Sequence, residues 1–77
     1  MEEYKHKYKI LLETETDVIR FVHNILISQA REVFVIDGKG LKVSAKSVLG
    51  MMYALTFTEL WCVSDTEIYN TIRDFVL

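Results

Sequence analysis

Residues 40–52 read GLKVSAKSVLGMM, and the fold turns on how this stretch divides. Leu41, Val43 and Ala45 alternate with Lys42 and Ser44, the period-two pattern of a strand. After Lys46 the period changes. Val48, Met51, Met52 and Leu55 are spaced as one side of a short helix. A strand hands over to a helix within two residues, and Ser47 stands where a helix N-cap belongs. Of the adjacent Met51 and Met52, only one can point directly inward. Met51 is assigned to the core and Met52 to an exposed patch.

Upstream, residues 32–37 (EVFVID) form a β-branched run, and Asp37-Gly38-Lys39-Gly40 supplies turn chemistry. Residues 32–45 therefore read as a hairpin. Residues 4–13 (YKHKYKILLE) alternate as well. Tyr4, His6, Tyr8, Ile10 and Leu12 fall on one face, and Lys5, Lys7, Lys9, Leu11 and Glu13 on the other. The lysine-rich face is expected to meet water. Between these strands, Val18, Phe21, Val22, Ile25, Leu26 and Gln29 line up at helical spacing, with Ile19 and Ile27 off the stripe. Thr14 or Thr16 can cap this helix, and Glu15 and Asp17 suit its positive end.

Downstream, residues 58–65 (TELWCVSD) read as a strand placing Trp61 and Cys62 on opposite faces. Residues 66–77 read as one helix capped by Thr66, with Ile68, Ile72, Phe75 and Val76 inward. The order β-α-β-β-α-β-α lets the helices cover only one side of a four-stranded sheet. The expected fold is an α+β two-layer open-faced β-sandwich, a single domain over residues 1–77.

Composition bounds the function. A net charge of −2 carries no sign of a nucleic-acid or anionic-membrane partner. The single cysteine, Cys62, forms no internal disulfide and fits a reduced, cytoplasmic compartment. Residues 1–7 are charged and lack an apolar signal core, and no apolar run is long enough to span a bilayer. There is no metal spacing, cofactor motif or nucleophile–base pair, so no enzymatic activity is expected.

The stretch at residues 40–52, with its Ala45-Lys46-Ser47-Val48-Leu49-Gly50-Met51-Met52, resembles the HPr family. HPr proteins are the histidine-containing phosphocarriers of the bacterial phosphoenolpyruvate-dependent sugar phosphotransferase system. The element order read above is also the order the family fold implies. The resemblance implies a phosphoryl-carrying histidine at the start of the first helix, followed by alanine, arginine and proline. Counting back from Ser47, that position holds Thr16, followed by Asp17, Val18 and Ile19. The two histidines, His6 and His23, lie elsewhere. The chain departs from the family there, so ordinary phosphocarrier activity is not expected.

The resemblance implies a second, regulatory function. In many Gram-positive members the serine at the position of Ser47 is phosphorylated by HPr kinase/phosphorylase. Lys46, Leu49 and Met52 stand where those members dock enzymes and a catabolite repressor. The sequence therefore leads to a non-phosphocarrier, protein-binding regulatory module. The alternative is an HPr-fold scaffold with a ligand-binding or self-association role, using Trp61, Ile19 and Ile27.

Overall fold

The computed structural model describes residues 4–77, and residues 1–3 of the charged N-terminal run lie outside that range. Its elements, in chain order, are β1 (His6–Ile10), α1 (Glu15–Ser28), β2 (Val33–Ile36), β3 (Lys42–Ser44), α2 (Val48–Ala54), β4 (Leu60–Ser64) and α3 (Tyr69–Ile72), with a 3-10 turn over Arg73–Phe75. The strands form one four-stranded sheet in the order β1-β4-β2-β3, antiparallel throughout. The architecture is α+β, with an open antiparallel sheet and three helices.

Register explains which residues form the core. Cys62 of β4 pairs with Tyr8 on one side and Val35 on the other. Val33, Val35 and Cys62 are fully covered, together with Val18, Phe21, Val22 and Ile25 of α1 and Met51 of α2. Phe21 and Phe75 meet edge to face at 5.4 Å. The opposite side of the sheet carries Lys7, Lys9, Phe34, Ile36, Lys42 and Trp61, because each pairs across the ladder with another member of that face or alternates with it.

The hairpin turn forms as its residues dictate. Gly38 and Gly40 take φ of 82° and 110°, and Asp37 Oδ1 accepts from the backbone N–H of Lys39 and Leu41. Thr14, not Thr16, caps α1. Its Oγ1 accepts from Asp17 N, while Asp17 Oδ2 accepts from Thr14 N, a reciprocal capping box.

Three readings are corrected. First, the α1 stripe stops early: Leu26 is 53% exposed, and Gln29 leaves the helix in the left-handed conformation as its C-cap. The stripe narrows to the four buried residues Val18, Phe21, Val22 and Ile25, leaving Leu26, Ile19 and Ile27 outside. Second, residues 66–77 do not form one helix and Thr66 does not cap it. Tyr69 N donates to Glu67 Oε1 instead, and the chain beyond Phe75 is extended. Val76 bridges Ile10, and Leu77 N donates to Lys9 O at 2.9 Å. Those hydrogen bonds cover the outer edge of β1, which a longer helix would leave bare. Third, β1 is shorter than the alternation of residues 4–13, although Leu12 remains buried beyond its end.

The α1 boundary between core and solvent is testable by urea denaturation. Ile25→Val, at a covered position, is expected to cost about 1 kcal/mol. Ile27→Val, at a position 64% exposed, is expected to stay within about 0.5 kcal/mol of the parent.

Candidate functional site

Two regions bear on function: the N-terminus of α1 and the first turn of α2. At the first, Thr16 sits one residue inside the helix and is exposed. Three backbone donors of this end, those of Glu13, Thr14 and Asp17, are engaged by the cap. Asp17 Oδ2 accepts from Glu13 N at 3.0 Å and from Thr14 N at 3.2 Å. A cleft of about 250 Å³ opens beside it, lined by Glu13, Asp17 and Asp74 with Arg20 and Phe75 among its neighbours. Arg20 lies over the Phe75 ring, 5.5 Å from its centroid. Three carboxylates against one guanidinium disfavour an incoming phosphoryl group.

Neither histidine reaches this cleft. His6 stacks beside Tyr8 in β1, and His23 is exposed in the middle of α1. Cys62 supplies no nucleophile either: burial pushes its thiol up to about 12. Among the described residues, no group of three His, Cys, Asp or Glu could hold a metal ion. No helix among them is long and apolar enough to cross a membrane.

The second region begins at Ser47. Its Oγ accepts from Gly50 N at 3.0 Å, so Ser47 is the N-cap of α2, and its side chain is exposed. Gly50 permits close approach: a Cβ there would lie 3.5 Å from Val43 Cβ and 3.3 Å from Ser47 Oγ. Lys46 reaches away from Ser47 and donates through Nζ to the Arg31 carbonyl at 2.7 Å.

The helical phase of α2 differs from the expectation. Met51 and Ala54 are its buried residues, not Val48, which is exposed. At ~100° per residue, replacing Val48 by Ala54 beside Met51, Met52 and Leu55 turns the inward line by roughly 30°. Leu49 then lies roughly 140° from the inward line and is 85% exposed. Tyr53, one turn on, shares that outward side and is exposed too. Met52 is half-buried and packs against the core rather than standing in an open patch. The surface beside Ser47 is thus Val48, Leu49 and Tyr53, of which only Leu49 was singled out. The missed signal was Ala54: a small apolar residue fits where α2 packs against both α1 and the sheet.

No protein-family model matches the chain, and no curated protein or solved structure matches it.

The cap at α1 carries a pH signature. The Glu13 and Thr14 hydrogen bonds hold the Asp17 carboxyl below its ordinary value. A depressed carboxyl pKa stabilises the fold above the unfolded value, and that contribution disappears as pH falls through the folded one. Thr14→Ala is expected to cost about 1 kcal/mol. Asp17→Asn is expected to lower the Tm at pH 7, and the difference from the parent to shrink below about pH 4.

Proposed function

We propose that the chain is an HPr-like regulatory module that binds a protein partner through the outward side of α2, with Ser47 as a phosphorylation switch, and that it is neither an enzyme nor a histidine phosphocarrier. The observation that carries this reading is the 85% exposure of Leu49, two residues from an exposed serine hydroxyl. A leucine side chain directed away from its own core, flanked by Val48 and Tyr53, forms an apolar contact patch. The resemblance of residues 40–52 to the HPr family and the β-α-β-β-α-β-α order support the assignment. The carboxylates around Asp17 support the loss of the carrier role.

A phosphate on Ser47 Oγ would add roughly two negative charges next to Leu49. Partner choice would change through that charge, while the fold beneath, set by Met51 and Ala54, stays in place. Lys46, engaged by the Arg31 carbonyl, positions the preceding turn in this scheme.

The test is phosphoryl transfer followed by intact mass. HPr kinase with ATP is expected to add one phosphate, abolished by Ser47→Ala and reduced by Leu49→Asp. Enzyme I with phosphoenolpyruvate is expected to add none. No phosphate from the kinase would reject the switch.

A second reading, self-association, is favoured by the exposed Ile19, Leu26 and Ile27 along α1. It predicts a sedimentation coefficient that rises with concentration and a return to monomer in Ile19→Lys. A concentration-independent monomer rejects it.

A further inference from the structure

The helix-free face of the sheet gathers positive charge and aromatic rings. Lys7 and Lys9 of β1 pair with Val63 and Trp61 of β4, and Lys42 of β3 pairs with Ile36 of β2, which in turn pairs with Trp61. Phe34 and Trp61 are diagonal neighbours on the adjacent strands β2 and β4, because Phe34 pairs with Val63 and Ile36 with Trp61. Such diagonal positions lie about 7–8 Å apart. Lys7 Nζ lies over the Trp61 ring at 4.7 Å from its centroid, with Lys9 Nζ at 5.6 Å, and Lys42 Nζ lies over Phe34 at 4.5 Å.

Several of the described acidic residues lie elsewhere. Glu13, Asp17 and Asp74 gather at the cleft beside α1. Among the described residues, Glu59 meets the lysine face: it lies 3.9 Å from Lys9 and accepts from the Trp61 indole at 3.3 Å. Both members of the Lys9–Glu59 pair are about half exposed, so their attraction is weak and easily exchanged for another anion. The net charge of −2 does not describe this face, which carries Lys7, Lys9 and Lys42.

We propose that this open sheet face binds single-stranded nucleic acid. Lys7, Lys9 and Lys42 would swing from over the rings onto successive phosphates, uncovering Trp61 and Phe34 to stack two neighbouring bases. Aromatic rings and mobile cationic side chains on a sheet face are the combination a single strand needs: each base has a π-face, and each phosphate a charge. An anionic membrane would be served by the lysines but would leave the rings, set among strand residues rather than projecting from a loop, without an acyl layer to enter. The proposal concerns a different surface from the α2 patch, so either can fail alone.

Trp61 is the only tryptophan in the chain, so its emission reports directly on the face. The full chain is titrated with 12-nucleotide oligo-dT and oligo-rU at 50 mM and 200 mM salt, and in parallel with phosphatidylserine vesicles. Saturable quenching by the oligonucleotides is expected. Three neutralised phosphates predict a log–log salt slope of about −2, or about fifteenfold weaker binding at the higher salt. The double variant Lys7→Glu, Lys9→Glu, with an unchanged far-UV circular dichroism spectrum, is expected to bind at least about tenfold more weakly. Absence of quenching at 50 mM salt overturns the proposal. So does equal binding by parent and variant, or a response to vesicles with none to oligonucleotides.

Discussion

Strand β4, Leu60–Ser64, pairs along both its edges, with β1 on one side and β2 on the other. The rest of the structure depends on that insertion. Its partners lie far away in the chain, so the sheet closes only after the last third of the sequence has arrived, and the contacts are strongly non-local. Cys62 and Ser64 face the helices and are fully buried. Ser64 satisfies its hydroxyl by donating to the Glu32 carbonyl and accepting from Thr66 N. Val63 is buried on the other face, so even the helix-free side has a small apolar centre at β4. The sheet edges are treated differently. β3 has only three residues, and the outer edge of β1 is covered by the C-terminal segment.

Two consequences reach the candidate sites. The α1 N-terminus, where the HPr resemblance implies a phosphoryl site, is closed by its own capping box and surrounded by carboxylates. The Thr14 hydroxyl takes up the Asp17 N–H, and the carboxylates beside it repel an incoming anion. At α2, close packing through Gly50 and Ala54 turns Leu49 outward. The helix is seven residues long and has few contacts of its own to draw on, so its neighbours set its rotation. With Ala54 buried, Val48, Leu49 and Tyr53 remain exposed beside Ser47.

Charge tells a related story. Composition alone argued against an anionic partner, because 9 basic and 11 acidic residues nearly cancel. The fold gathers three of the basic residues on one sheet face. The alternation of residues 4–13 already places Lys7 and Lys9 on one side, but Lys42, Phe34 and Trp61 join them only through strand pairing. A net charge describes the chain as a point, and a binding face depends on where the charges lie.

Local periodicity by itself determined the elements: the strands around Tyr8, Val35, Val43 and Cys62, the helix around Phe21, the turn at Asp37-Gly38 and the cap at Ser47. It also determined that one face of the sheet stays uncovered, since helices follow only some of the strands. These features follow from dihedral preferences and from spacings of two and 3.6 residues, which neighbours along the chain express without help. Tertiary structure alone decided the order β1-β4-β2-β3, the rotation of α2, the premature end of the inward stripe at Ile25 and the break of the C-terminal helix at Phe75. Each of these is a competition between a local preference and a contact with a distant segment. The last residues show it most directly: Leu77 exchanges a further helical turn for a hydrogen bond to Lys9 O, an acceptor that exists only once β1 has found its place in the sheet.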